Sequence, residues 1–301
     1  MSEFVKIVEV GPRDGLQNEK QALTVEQRLN FINDLISAGL KSIEVGSCVS
    51  AKWVPQMAQS DELFKLLPQT TDVQFSLLTP NIKGFETAQA VGCKEVAVFT
   101  AASESFTRKN INCSIDESFE KFSDVMSAAK AHNIRVRGYV SCIVDCPYEG
   151  AIAPEQVVKV VKRLYDMGCY EVSLGETIGT ATPDRVQKVW QACLAELDSK
   201  VLAGHFHNTY GMAIANIYQS LQQGIRVFDS SLAGLGGCPY AKGASGNVST
   251  EDLFYLLSHM GFETGINLEK LMQASQNISN VLNRKSLSNY ANAYWQTKCA
   301  S

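Results

Sequence analysis

An apolar, strand-like segment followed by a loop and a helical periodicity recurs eight times between residues 6 and 260, and this alternation constrains the fold more than any other feature. The strand-like runs are residues 6–10, 42–45, 73–78, 96–100, 136–141, 172–174, 201–207 and 227–232. Helical segments follow them at 24–39, 61–67, 81–91, 115–131, 154–167, 183–197, 212–223 and 250–260, the second being short. In the first of these, Thr24 and Gln27 have capping-box spacing, and Leu29, Ile32, Leu35 and Ile36 recur at helical spacing up to Gly39. A helix after every strand points to a parallel sheet, and eight is the number that closes into a barrel. The alternative is an open doubly wound sheet. No Gly-x-Gly-x-x-Gly follows the first strand, where a dinucleotide fold needs it. The reading is an α/β protein, a (β/α)8 TIM barrel. After residue 262, Leu268, Leu271, Ile278 and Val281 read as one or two extra helices packed outside, and no linker divides residues 1–301, so one catalytic domain is expected.

Composition narrows the partners. A net charge of -4, with Lys and Arg spread along the 301 residues, offers no basic patch for a phosphate backbone, so nucleic acid is not expected. No apolar run reaches the length of a membrane span, and the opening residues carry no signal or transit segment; a cytoplasmic protein is expected. Nine cysteines, odd in number and scattered, fit reduced thiols that act mostly as small buried hydrophobes.

In a barrel, chemistry collects at the C-terminal ends of the strands. Those ends carry Arg13 and Asp14 after the first strand, Glu44 at the second, Glu176 and Thr177 after the sixth, and His205 and His207 at the seventh, with the glycine-rich segment 233–247 after the eighth. Alternate residues of a strand share a face, so His205 and His207 point together, and these are two of only four histidines. A carboxylate, two imidazoles and further oxygen donors suit a divalent cation. Mg²⁺ or Mn²⁺ is favoured, because Zn²⁺ is more often given thiolates or a third histidine. Plainer roles fit the same residues: Asp14 as a turn residue, Arg13 with Glu44 as a structural ion pair, Glu176 as an outer or solvent-facing group. Cys238, between Gly236-Gly237 and Pro239, is harder to assign to core packing than Cys93, Cys169 or Cys193.

Longer motifs add a resemblance. Val8-Glu9-Val10-Gly11-Pro12-Arg13-Asp14-Gly15-Leu16-Gln17-Asn18-Glu19-Lys20 closely resembles the opening motif of the 3-hydroxy-3-methylglutaryl-CoA lyases. The likeness continues through Lys52-Trp53-Val54-Pro55-Gln56-Met57, Ala102-Ser103-Glu104-Ser105-Phe106, Gly138-Tyr139-Val140-Ser141-Cys142, Cys146-Pro147-Tyr148-Glu149-Gly150, the histidine pair, and Gly234-Leu235-Gly236-Gly237-Cys238-Pro239-Tyr240. It covers nearly the whole chain in order. The resemblance implies a metal-dependent barrel lyase that splits its acyl-CoA substrate into acetyl-CoA and acetoacetate. It implies Asp14, His205, His207 and Asn247 as metal ligands, Arg13 against the thioester carbonyl with Glu44 behind it, and Cys238 on a loop that closes over the substrate. Ser103 to Asn110 are implied in holding coenzyme A, with Gln17 and Glu176 counted as further substrate-binding residues. A homodimer is implied as well, and Cys299 is either a redox-sensitive thiol or an ordinary tail residue.

The implied chemistry asks for these residue types. Breaking the C2–C3 bond needs the tertiary hydroxyl deprotonated, with Asp14 or His205 as the base, Arg13 stabilising the enolate, and Cys238 or a histidine returning a proton. The sequence departs from the family pattern in three places: Asn208 in place of Asp, Glu176 in place of Asp, and Gly46-Ser47-Cys48 in place of a Thr-Ser-Phe-like run. Two other readings are open: a related condensing enzyme of the isopropylmalate or homocitrate synthase type, and a noncatalytic relative that binds a CoA thioester or a metal.

Overall fold

The computed structural model describes residues 3–69, 72–237 and 246–299. Strands β1 (Lys6–Glu9), β2 (Ser42–Ser47), β3 (Gln74–Leu78), β4 (Glu95–Ala101), β5 (Arg135–Ser141), β8 (Glu171–Glu176), β9 (Leu202–Phe206) and β10 (Val227–Ser230) pair in parallel in that order. β10 pairs with β1, Lys6 opposite Val227, and the barrel closes. β6 (Asp145–Cys146) and β7 (Gly150–Ala151) form a small antiparallel pair in the loop after β5.

Helices alternate with the barrel strands: α1 (Val25–Ser37), α2 (Ser60–Leu66), α3 (Ile82–Ala90), α4 (Glu104–Ile111), α5 (Ile115–Ala131), α6 (Pro154–Asp166), α7 (Pro183–Leu194), α8 (Ala213–Gln222) and α9 (Thr250–His259). α10 (Leu268–Val281) packs against α1, and α11 (Asn289–Cys299) against α9, as the extra C-terminal helices expected. The capping box at Thr24 and Gln27 is formed, and a second one, Ser114 with Glu117, starts α5. No helix among the described residues is long and apolar enough to cross a membrane. Cys93, Cys113, Cys142, Cys146, Cys169 and Cys193 are buried free thiols, while Cys48 is partly exposed.

The two faces of the strands differ in chemistry. Val96, Val98, Val136, Val172, Leu174, Leu202 and Phe228 are buried and join Phe122, Val161, Trp190 and Ile217 of the helices in one apolar cluster between sheet and helix layer. The barrel interior is ionic instead. Arg137 of β5 reaches across to Asp229 of β10 at 2.8 Å and binds Glu171 of β8 at 2.7 Å, while Lys6 of β1 spans to the same Glu171 at 2.7 Å. Burying these charges is tolerated because each is paired and hydrogen-bonded. At the closing seam, the buried Glu9 carboxylate accepts the Gly11 N–H at 2.8 Å, the Leu232 N–H at 3.0 Å and the Thr250 hydroxyl at 2.6 Å.

Two segments read as loops in the sequence are helical. Residues Gly11–Gly15 coil into a wide π-type turn, and Glu104–Ile111 form α4, capped by Ser103. β9 is also shorter than residues 201–207: residues Ser199–Val201 form a 3-10 turn, and His207 lies just beyond the strand, bridged to Asn247.

Candidate active site

The first carboxylate of the site owes its place to the backbone after β1. The Val10 carbonyl accepts hydrogen bonds from three successive amides, those of Arg13, Asp14 and Gly15, at 3.1, 2.7 and 3.2 Å. Pro12 sits at the start of this turn, where its missing N–H is not needed. Gly11 must be glycine, since a Cβ there would lie 2.5 Å from Glu9 Oε1. The turn tips Arg13 and Asp14 over the barrel mouth.

Arg13 is then fixed on two sides. Its Nε donates to Glu44 Oε2 at 2.6 Å and its Nη1 to Asp14 Oδ1 at 2.6 Å. Glu44 is fully buried, and the Tyr139 hydroxyl donates to the same oxygen at 3.4 Å. Asp14 Oδ2 accepts from Asn247 Nδ2 at 2.9 Å and lies 4.0 Å from His205 Nε2. Asn247 reaches the site through backbone pairing: it bridges His207, the Val248 N–H donates to the Phe206 carbonyl at 3.0 Å, and the Asn208 N–H to that of Gly246 at 2.9 Å.

The two imidazoles meet edge to edge, Nε2 to Nε2 at 3.3 Å. His205 Nδ1 lies 3.1 Å from Asp229 Oδ2, an oxygen that also accepts the Ser173 hydroxyl at 2.7 Å. Burial alone would raise the Asp229 pKa; Arg137 and His205 outweigh it and hold this carboxyl well below the usual range. An ionised Asp229 accepts the Nδ1–H of His205, so the lone pair of that ring stands on Nε2, toward Asp14 and His207.

Electrostatics sort the other groups. Burial opposes the charge on Asp14, but Arg13 and then the two histidines bring its pKa down to about 2. Burial and the neighbouring His205 lower His207 to about 4, leaving it neutral near pH 7. For His205, burial favours the neutral ring, yet the Asp229 hydrogen bond and charge prevail and its pKa is raised.

A cation fits this donor set. Asp14, His205 and His207 each present a ligating atom, all within 4.8 Å of one another. With Nδ2 of Asn247 given to Asp14 and to the Leu235 carbonyl at 3.2 Å, its Oδ1 remains as an oxygen donor. One carboxylate, two imidazole nitrogens and an amide oxygen are ordinary ligands for a divalent ion.

Other residues expected at the site lie elsewhere around it. Glu176 is buried at the end of β8, where Oε1 accepts the Thr180 N–H at 3.1 Å, and burial raises its pKa to about 7. It braces its own loop. Ser103 caps α4, accepting the Phe106 N–H at 3.1 Å and donating to Cys146 Sγ at 3.0 Å, while Asn110 Nδ2 donates to the Phe106 carbonyl at 3.0 Å. Gln17 is half-buried on the turn after Gly15. Cys238 lies outside the described residues. Asn208 uses its side-chain oxygen to accept the Ala213 N–H at 3.3 Å at the start of α8. Residues not singled out from the sequence complete the site: Asp229, Arg137, Tyr139 and Ser173. Their signal was there, as charged or hydroxyl-bearing residues set inside apolar strand runs.

Comparison with known proteins gives the family of the chain. The HMGL-like family model matches residues 4–278. A hydroxymethylglutaryl-CoA lyase of Pseudomonas mevalonii is 58% identical over 277 residues, 92% of each chain. A 3-hydroxy-3-isohexenylglutaryl-CoA/hydroxymethylglutaryl-CoA lyase of Pseudomonas aeruginosa is 55% identical over 96% of each. Among solved structures, a hydroxymethylglutaryl-CoA lyase from Pseudomonas aeruginosa superimposes with a TM-score of 0.96, at 53% identity over 99% of both chains.

Proposed function

Since the chain belongs to the HMGL-like family, we propose that it is a metal-dependent carbon–carbon lyase that cleaves 3-hydroxy-3-methylglutaryl-CoA to acetyl-CoA and acetoacetate. The observation that carries this reading is the Arg13–Asp14 turn, held by Glu44 and set against His205, His207 and Asn247.

A divalent ion held by Asp14, His205, His207 and Asn247, Mg²⁺ or Mn²⁺ given a donor set without thiolate, would supply the Lewis acidity that lowers the pKa of a tertiary hydroxyl. Asp14 takes the hydroxyl proton. A carboxylate has about four lone-pair sites, more than its bonds here use, whereas His205 has Nδ1 committed to Asp229 and Nε2 turned to the cation. As the C3–O bond becomes a carbonyl, the C2–C3 bond breaks and its electrons pass into the thioester as an enolate. Arg13 meets that charge. Its Nε and Nη1 are occupied, and Nη2 makes no hydrogen bond among the described residues, so this edge is the one to face the thioester oxygen. Buried Glu44 keeps the guanidinium from turning away. Cys238 is assigned to return a proton to C2 of the enolate, which releases acetyl-CoA. Ser103 to Asn110 are assigned to the coenzyme A side of the site, Gln17 to its wall with Glu176 bracing the loop behind it, and the enzyme to a homodimer whose mass sedimentation would give.

Purified, reduced protein is expected to release acetyl-CoA from 3-hydroxy-3-methylglutaryl-CoA with Mg²⁺ or Mn²⁺ and to stop when the ion is chelated. Asp14→Ala and His207→Ala should lose bound metal and activity together. Metal retained by both variants, or bound by the parent without any release, would sink the assignment.

A further inference from the structure

The inward-facing residues of β4, β5 and β8 change size from one layer to the next. Phe99 is paired with Tyr139 and Tyr139 with Ser173 in one layer. Two residues on, where side chains face the interior again, Ser141 is paired with Gly175 and Gly175 with His205. Ser141 and Gly175 are too short to meet one another. They leave a cavity of about 70 Å³, with Arg13, Asp14 and His205 on one side and Phe99 and Tyr139 beneath.

The polar groups deepest in this cavity are already engaged, while the Ser141 hydroxyl makes no hydrogen bond among the described residues. The Ser173 hydroxyl donates to Asp229 and the Tyr139 hydroxyl to Glu44. The cation of Arg13 is shared by Glu44 and Asp14, and that of Arg137 by Glu171 and Asp229. Arg13 Nη2 and the cation side of the cavity are taken by the thioester and hydroxyl oxygens; on the side of Phe99 and Gly175 a carboxylate would meet no cation among the described residues, whereas an alkyl group would meet the Phe99 ring and the Gly175 backbone. Behind Phe99 lies a satellite apolar cluster of Phe106, Cys142, Cys146 and Ile152, with the Phe106 ring edge-on at 6.4 Å. The Phe99 ring is the partition between cavity and cluster.

Resting on the lyase reading above, we infer that this cavity receives the alkyl substituent on C3 of the hydroxyglutaryl group and that Phe99 is a specificity-determining residue restricting it to small groups such as methyl. An apolar cavity of about 150 Å³ takes one benzene ring. A space of about 70 Å³ matches a methyl or ethyl group and is too small to enclose a six-carbon isohexenyl chain. Removing the ring joins the cavity to the apolar cluster behind it.

The test compares kcat/KM for 3-hydroxy-3-methylglutaryl-CoA and for the 3-isohexenyl substrate named for the Pseudomonas aeruginosa relative. Wild type, Phe99→Leu and Phe99→Ala are assayed, with thermal melts to confirm folding. Wild type should favour the methyl substrate by roughly 100-fold or more, and Phe99→Ala should shift the ratio toward the longer one by about tenfold or more, with Phe99→Leu between them. If Phe99→Ala does not fold, the Phe99→Leu shift decides. Similar turnover of both substrates by wild type, or a parallel loss on both in the variants, overturns the inference while leaving the lyase reading intact. Failure of wild type to cleave the methyl substrate at all overturns the lyase reading and the inference with it.

Discussion

Asp229 shows how a residue that touches no substrate governs the site. It is fully buried, and its two oxygens hold Arg137 on one side and His205 with Ser173 on the other. Asp229→Asn puts an amide where an anion fixes the imidazole tautomer, so Mn²⁺ affinity should fall about ten- to a hundredfold, measurable by calorimetry. Unchanged affinity would mean that His205 needs no such support. This residue also marks where sequence reading stops. The pairing of His205 with His207 is visible from strand alternation, and Asp14 from its place at a strand end. That Asp229 stands beside His205 depends on the β9–β10 register, in which the two are opposite each other, and that register is not written in either strand alone.

Elements hold the site through buried carboxylates that grip backbone amides. Glu251, in the first turn of α9, accepts the Ala233 N–H with both oxygens, at 3.1 and 3.0 Å, and is also bonded by the Ser275 hydroxyl of α10. It thus ties the turn at Leu232–Gly234 to two helices. Burial raises its pKa to about 7 against those hydrogen bonds, above the value of an unfolded carboxyl. The folded state therefore favours the protonated form. Stability from this group is full below the unfolded pKa and is lost as pH rises toward 7. Glu251→Gln, which cannot ionise, should gain on wild type by about 2 to 3 kcal/mol between pH 5 and pH 8 in urea unfolding. A stability difference that stays level with pH would contradict this. The elements themselves were partly legible. Regular helices announced themselves by periodicity and caps, whereas the turn at Gly11–Gly15 looked like a loop because its order comes from one carbonyl serving three amides. α4 was hidden because its eight residues are too few to display a period.

For the whole molecule, the barrel was the most legible level, since eight repeats of one pattern outweigh any error in a single segment. The ion at its mouth should stabilise the fold, because it joins the β1, β9 and Asn247 segments and has no such site in the unfolded chain. At about a hundred times its dissociation constant it should add about 2.7 kcal/mol. Thermal melts with and without Mn²⁺ should separate by several degrees, and the gap should vanish in His207→Ala. The closing seam carries a different consequence, for the chain as it is made. Glu9 waits for Leu232, 223 residues further on, for its first partner across the seam, and for Thr250 after that. At roughly 5–20 residues per second, a ribosome needs about 10 to 45 s to supply that partner. For that interval β1 is an open sheet edge beside an unfinished barrel, a template for pairing with other nascent chains. Slow translation between the first and last strands should lower the yield of folded protein without altering the protein once folded.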